Sequence, residues 1–454
     1  MFTQGKIMSN KQVILLLLNA GIVIRNLIND DFLKSLSKSY KIVCISSYKK
    51  VDWFPENNSD LVWIESKIPK VDIITKILNA SLYRRFDLIR AHPSINILKK
   101  GPISNNIYEF FLNILAYPFP RSKNIFKFLN NIKNNRKILI PENVQNIFHT
   151  YKPIKIISTR PNHLEDFYIN YYANKLKIPI FGVIKSWDNV TTKGYMPVRC
   201  DVCSVWNRSM KKNLIESQFY REREVFITGI PHIDQLLKSN FLSRKAFFDK
   251  MNLDKNKKTI FYATSPPNIS PDDPEIIRKF IPFLKNKNFQ MIVRLHQIDN
   301  FERFKEIKSK SIHFLKRGES TDTSMDKRLL SRSFIKELKE SIYHSDITIN
   351  TSSTITFECL ALGKEVININ FDLIKREPYK STKRFTSLIH YNLIIENDFV
   401  AQAMSFDELI DLAFNYQKLK RNSLDYKKKE IDREIFYKLD GKSNERLAKA
   451  IMKF

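Results

Sequence analysis

Short apolar runs bounded by polar turns recur along this chain, and they set its fold class. Val13-Ile-Leu-Leu-Leu-Leu18 carries no polar residue. A strand with one buried face alternates; an unbroken apolar run is buried on both faces, as in a parallel sheet covered by helices. Lys41-Ile-Val-Cys-Ile-Ser46 and Leu61-Val-Trp-Ile64 follow, and later Ile154–Ser158, Ile178–Ile184 and Asp201–Trp206. Helical stretches separate them. The first shows Phe32, Leu33 and Leu36 on its apolar face, with Asn19–Asp31 expected as a loop leading in. This βαβ rhythm predicts a doubly wound sheet. Val225–Asp234 closes it, with Gly229 and Pro231 as breakers.

The charged, mostly helical stretch 235–256 reads as a linker. A second alternating unit then begins: Thr259–Ala263, Gln290–His296, Ser311–Leu315, a helix through Leu338 and Ile342, and finally Asp346–Asn350 and Val366–Ile369. At 454 residues the chain is too long for one core. The expected fold class is α/β, with two facing doubly wound, Rossmann-like parallel-sheet domains. The first spans 1–235 and the second 236–420. Helices in 421–454 are expected to cross back to the first domain.

From 73 to 151 the rhythm gives way to helical sequence in which Tyr83, Phe86, Phe126 and Phe128 are interleaved with Arg84, Arg85, Lys123 and Lys127. It reads as a helical insertion covering the sheet; an interfacial membrane role is the alternative. The net charge of +29 attracts polyanions: nucleic acid, an anionic membrane, or phosphorylated substrates. No zinc-finger spacing, Walker loop or RNP signature accompanies it, so no specific nucleic-acid partner is expected. The four cysteines include one C-x-x-C, Cys200 and Cys203, with no second pair to complete a zinc site. The apolar run near the start is far shorter than the ~20 residues of a membrane span. A cytoplasmic protein, peripheral at the inner membrane face, is the expectation.

Ligands of open parallel sheets bind beyond the carboxyl ends of the strands. In the second domain those ends carry Thr264 and Ser265, Arg294 and His296, Arg317, and the turn Thr351-Ser-Ser-Thr354. Arginine pairs with phosphate oxygens, histidine can donate to a leaving diphosphate, and a hydroxyl-rich turn before a helix offers N–H groups to an anion. Any of Thr351, Ser352, Ser353 and Thr354 could cap the helix that follows. Glu358, one helical turn on, is a candidate for a ribose, and Gly363 suits the C′ position. In the first domain the ends carry Asn19, Arg25 and Asn26, then His163, Glu165 and Asp166, then Ser186, Trp187, Asp188 and Asn189. Asp188, and after it His163, are the candidate general bases toward an acceptor hydroxyl. Arg25, Asn26, Trp187 and Asn189 are candidate acceptor ligands.

Arg294-Leu-His296, the stretch Ser345-Asp346 through Ser352-Ser353-Thr354, and Gly363-Lys-Glu-Val-Ile367 resemble GT-B fold glycosyltransferases, and among them the CDP-glycerol glycerophosphotransferases and related surface-polysaccharide enzymes. Ser186-Trp-Asp-Asn189 and Thr228-Gly-Ile-Pro-His-Ile-Asp234 look like the end of the first domain in such proteins. The resemblance covers roughly Ile178 to Asp372. It implies a nucleotide-activated donor in the second domain, a glycan or lipid-linked acceptor, no cofactor, and no metal as a strict need. Ser265, Arg294, His296, Arg317, Ser352, Ser353, Thr354 and Glu358 are the implied donor ligands. Where the teichoic-acid-type enzymes usually show Asp-Tyr-Ser-Ser, this chain has Asn350-Thr-Ser-Ser353, which favours a sugar over glycerol phosphate as the transferred group. The alternatives are a nucleotide-sugar epimerase of the same fold and, from charge alone, a nucleic-acid-binding protein.

Overall fold

A computed structural model describes residues 11–56, 58–90, 123–315, 332–419 and 424–454. The middle of the aromatic insertion, 91–122, and Arg317 lie outside the described residues. The described chain divides into two compact units. One runs up to Pro231 and takes in Lys442–Phe454; the other takes in His232–Gly441.

The first unit holds a seven-stranded sheet. Its strands are β1 (Val13–Leu17), β2 (Lys41–Ser46), β3 (Leu61–Glu65), β4 (Lys155–Ser158), β5 (Ile180–Val183), β6 (Val202–Val205) and β7 (Val225–Ile227), in the order β3-β2-β1-β4-β5-β6-β7. Every pairing is parallel. Ile14 to Leu18 are fully buried, as their unbroken apolar run requires. Removing each such side chain from water contributes about 1.5–3 kcal/mol. Leu15 lies opposite Val43 on one side and Ile156 on the other, which places β1 inside the sheet.

Asn19–Asp31 is not the expected loop. It forms a helix, Gly21–Leu27, then a second start at Asp30–Ser37, where the Asn29 side chain accepts from the Phe32 N–H. Val23, Ile24 and Leu27 bury one face of the first helix. Gly182 on β5 is a close-packing glycine. A Cβ there would stand 2.7 Å from Cys203 Sγ and 3.0 Å from Cys200 Sγ. Both cysteines are free and buried, and Cys203 lies within β6.

The helix Ser443–Lys453 belongs to this unit. Lys155 Nζ donates to the Ile451 carbonyl (2.6 Å), Asn444 Nδ2 to the Pro231 carbonyl (2.7 Å), and Asn29 Nδ2 to Asn444 Oδ1 (3.1 Å).

The second unit holds a six-stranded parallel sheet. Its strands are β8 (Lys258–Ala263), β9 (Phe289–Arg294), β10 (Ile312–Phe314), β11 (Ile347–Asn350), β12 (Glu365–Ile369) and β13 (Ala401–Ala403), in the order β10-β9-β8-β11-β12-β13. Its core joins Ile260, Tyr262, Met291, Val293, Ile347 and Ile349 to Phe280 and Leu284 of the helix Asp273–Asn286. β13 is absent from the sequence reading. Ala-Gln-Ala has no strand preference of its own, and it is a strand because Ala401 pairs with Ile367. The segment taken as a linker takes in the end of the helix Pro231–Leu237 and the whole of the helix Arg244–Met251. Among the described residues no helix is long and apolar enough to cross a membrane.

Candidate active site

In both sheets the sequence order reverses between two adjacent strands, β1 and β4 in the first and β8 and β11 in the second. That switch point opens a crevice at the carboxyl ends. The predicted donor residues other than Arg317 stand at the second one.

Thr264 follows β8 and ties its neighbour in place. Its N–H donates to the Arg294 carbonyl (3.0 Å), and its hydroxyl accepts from the His296 N–H (2.8 Å). On the other side the Ser265 hydroxyl lies 3.5 Å from the Thr351 carbonyl. The ends of β9, β8 and β11 are thus joined in a row, with β9 and β11 about 10 Å apart. Ser265 is buried and braces the turn from behind, while Arg294, His296 and Ser352–Thr354 remain half-buried. The Arg294 guanidinium lies 5.9 Å from the Phe334 ring centre. His296 Nδ1 accepts from the Ile298 N–H at 3.4 Å, which favours the tautomer with its proton on Nε2, the donor form.

The turn is not capped as expected. Thr354 stands at the N-cap of the helix Ile355–Ala361 without a side-chain cap bond. Asn350, the last residue of β11, does that work: its Oδ1 accepts from the Ser353 N–H (3.1 Å) and from Thr356 Oγ1 (3.2 Å). Ser353 Oγ accepts from the Ile355 N–H (3.4 Å). Ser352 takes a left-handed backbone, φ +43°. The N–H groups of Ser352 and Thr354 bond to nothing among the described residues. Glu358 is half-buried one turn beyond Thr354, on the same face of the helix, and makes no side-chain bond among the described residues. Gly363 ends the helix with φ +67°, and the Lys364 N–H reaches back to the Cys359 carbonyl (2.9 Å).

Asp273 anchors this row. It is fully buried and accepts from the Tyr262 hydroxyl, the Ser270 hydroxyl and the Ser265 N–H, each at 2.8 Å. Burial pushes its carboxyl up to about 6, against the opposing pull of those donors and Arg303. The folded state therefore holds this proton more tightly than the unfolded chain. The stability it contributes is complete below about 4 and is lost as pH rises to about 6, an effect of roughly 2–3 kcal/mol. Asn at this position does not titrate. The stability advantage of the native chain over Asp273→Asn should accordingly shrink between pH 4 and pH 7 in denaturant titrations; an advantage independent of pH would contradict the shift.

At the first switch point, Asn19, Arg160 and Asp166 interlock. Asp166 is fully buried and accepts from Asn19 Nδ2 (2.9 Å), the Ser158 hydroxyl (2.8 Å) and the Arg160 N–H (3.1 Å). Burial raises its pKa, and these donors and the Arg160 charge oppose the rise. Arg160 also donates to the Asn19 carbonyl (3.1 Å) and to His163 Nδ1 (2.9 Å). A guanidinium only donates, so Nδ1 is an acceptor and the neutral ring carries its proton on Nε2. In that neutral form His163 donates through Nε2.

Asp188 organises its own turn. Its carboxylate accepts from Ser186 Oγ (2.5 Å), Asn189 Nδ2 (3.3 Å) and Thr192 Oγ1 (3.3 Å). Trp187 and Asn189 are buried on either side, with Asp188 half-buried between them. Arg25 and Asn26 lie on the helix after β1, Arg25 Nε donating to Asn26 Oδ1 (2.9 Å). These candidates thus follow β1, β4 and β5, three adjacent strands. Asn162 Nδ2, bonded to the Gly194 carbonyl (3.2 Å), links the last two loops. Arg160 was missed in the sequence reading; the signal was a single arginine directly after an apolar strand.

A cavity of about 380 Å³ opens at the opposite, amino-terminal end of the second sheet, lined by Arg244, Asp346, Lys364 and Tyr416. Its cations are engaged, Lys364 with the Ser345 carbonyl (3.0 Å) and Arg244 with Asp346 (3.3 Å), and it is remote from the strand ends described above.

Residues 188–453, more than half of the chain, match the model of the CDP-glycerol:poly(glycerophosphate) glycerophosphotransferases. The chain belongs to that family. It is therefore a transferase of the glycerophosphotransferase and glycosyltransferase group, as the strand-end motifs led one to expect. No curated protein matches it. Among solved structures it is similar to a putative UDP-N-acetylglucosamine 2-epimerase from Listeria monocytogenes (TM-score 0.54, 12% identity, 98% of this chain and 96% of that one). A UDP-GlcNAc 2-epimerase from Neisseria meningitidis bound to UDP-GlcNAc gives a TM-score of 0.52 at 14% identity, over 98% of this chain and all of that one. A glycosyltransferase from Rickettsia africae gives 0.51 at 12%, with the same coverage. At such identities the likeness is one of fold, the GT-B fold. The family match sets the transferase ahead of the epimerase, which has fold likeness alone.

Proposed function

We propose that the chain transfers a polyol phosphate from a cytidine-diphosphate-activated donor to a hydroxyl of a surface glycan or lipid-linked acceptor. One juxtaposition carries this reading: Arg294 and His296 at the end of β9 and the Thr351–Thr354 turn at the end of β11 flank the end of β8 at a switch point, inside the segment that matches the family. The acceptor oxygen attacks the phosphorus that bears the polyol. The bond from that phosphorus to the bridging oxygen breaks, the nucleoside monophosphate leaves, and the acceptor proton passes to a base or to solvent. Negative charge grows on the phosphate oxygens. Arg294 meets it with a planar fork, His296 with its Nε2 proton, and the turn with its N–H groups. The acceptor is assigned to the first unit's strand ends, with Asp188 the half-exposed carboxylate there.

The departure at Asn350 favoured a sugar, whereas the family match favours phosphodiester formation. The nucleotide released separates the two. Chromatography of a reaction with CDP-glycerol should show CMP accumulating with acceptor and persisting in EDTA, because the protein's own cations and donors serve the diphosphate. Release of a nucleoside diphosphate from a sugar donor would instead mark a glycosyl transfer. Isomerised sugar nucleotide without an acceptor would mark the epimerase.

An anionic membrane surface is proposed as a further partner, at the cytoplasmic face. Exposed Ile73, Ile74, Phe128, Ile132 and Leu139 lie on or beside the helices Ile73–Arg90 and Lys123–Asn135, with exposed Lys127 and Lys137 beside them. Sedimentation with vesicles should show binding that rises with anionic lipid and falls with salt. Equal recovery with neutral vesicles would remove this partner.

A further inference from the structure

The turn at the end of β11 is held from behind by two buried amides, Asn350 and Asn368. Asn350, Asn368 and Gln402 occupy matching positions on β11, β12 and β13: Asn350 is paired with Asn368, and Asn368 with Gln402. Residues so paired project from the same face of a sheet. Asn350 and Asn368 are fully buried, as is Tyr391 beyond them. Asn368 Nδ2 donates to Asn350 Oδ1 (3.0 Å) and to the Asn350 carbonyl (3.3 Å). The Tyr391 hydroxyl donates to Asn368 Oδ1.

Each link fixes the next. Asn350 Oδ1 faces the Ser353 N–H and Thr356 Oγ1, so Asn368 must present its Nδ2 to that oxygen. Its own Oδ1 then points to Tyr391. The donor-only Ser353 N–H, next to the left-handed Ser352, sets the amide orientation along the row, and the Tyr391 hydroxyl, able to donate or accept, closes it. The arrangement is not the one that stability alone would select. Asn350 Nδ2 is buried without a hydrogen bond among the described residues, and a buried donor in that state is costly. Such groups concentrate where the polar atom serves a purpose besides packing.

We propose that Tyr391 and Asn368 are positioning residues for donor binding, which act through Asn350 to hold Ser352–Thr354 in the shape that receives the diphosphate. Neither touches the ligand. The inference rests on the donor reading above and deepens it. Buried hydrogen bonds that hold the turn from behind preorganise the groups in front, so less ordering remains when the anion arrives.

The test is titration calorimetry of the full chain with CDP and with UDP, alongside thermal unfolding without ligand. Tyr391→Phe should weaken the tighter of the two nucleotides by about five- to tenfold at a temperature where the protein is fully folded. A lowered melting temperature with affinity unchanged within twofold would assign the hydroxyl to stability only and overturn the inference. Asn350→Ala should lose more than about tenfold. Asn350→Asp, which keeps an oxygen facing Ser353 and Thr356, should stay within about threefold of the native chain. Equal losses in these two variants would also overturn it, and this pair decides the matter even if Tyr391→Phe does not fold. Binding of neither CDP nor UDP by the native chain would overturn the donor reading and the inference with it. Native binding that the Tyr391 and Asn350 variants retain would overturn the inference alone.

Discussion

His296→Ala should lower transfer by about 100- to 1000-fold and leave the protein folded. The magnitude is that of removing one preorganised donor from a site where charge develops in the transition state. The fold should survive because the structural bond at this position is made by the backbone: the His296 N–H donates to Thr264 Oγ1, and alanine keeps that N–H. The side chain is half-buried and lies outside the core cluster. The loss should fall on turnover more than on binding of CDP, since the ring proton is aimed at charge that grows as the bridging bond breaks. Wild-type turnover in this variant, or a loss that follows a drop in melting temperature, would remove His296 from the chemistry.

Asp166→Ala should be the most destabilising of the substitutions considered, by about 3–5 kcal/mol. The carboxylate is completely buried, and three donors from Asn19, Ser158 and Arg160 converge on it. Alanine leaves all three unpaired and removes a buried negative charge that acts on the Arg160 guanidinium, which keeps Glu165 at 3.2 Å. The first unit's switch point would lose the tie between its two central strands. Melting temperature should fall by about 10 °C, and denaturant midpoints should move in step. A shift below about 2 °C would mean that water replaces the carboxylate and that the cluster is not a closed network.

Much of this architecture was readable from the chain because parallel strands buried on both faces have to be apolar. Val13–Leu18 could hardly be anything else, and the strands before Thr264, Arg294 and Thr351 followed by the same logic. The reading failed where tertiary pairing decides. Ala401-Gln-Ala403 is a strand only through β12, and the helix Gly21–Leu27 is sustained by its buried face, not by a capping signal. At the site, the residue types that meet phosphate were legible: arginine, histidine and a hydroxyl turn at strand ends. The residues that aim them were not. Asn350 looks like the polar end of a strand, yet it caps the turn, and Asn368 and Tyr391 stand 18 and 41 positions further on. Asp188 shows the converse case. A loop carboxylate suggests a base, and its three local donors appear only once the turn is folded.

The central claim is that the ends of β9, β8 and β11 hold the diphosphate of the donor. Calorimetric titration of the native chain and of Arg294→Ala, with CDP and with cytidine, tests it most directly. CDP should bind and cytidine should not, and Arg294→Ala should weaken CDP by at least about tenfold, in line with the loss of a charge-assisted pair. Equal affinity for CDP in both proteins, or equal affinity of the native chain for CDP and cytidine, would contradict it.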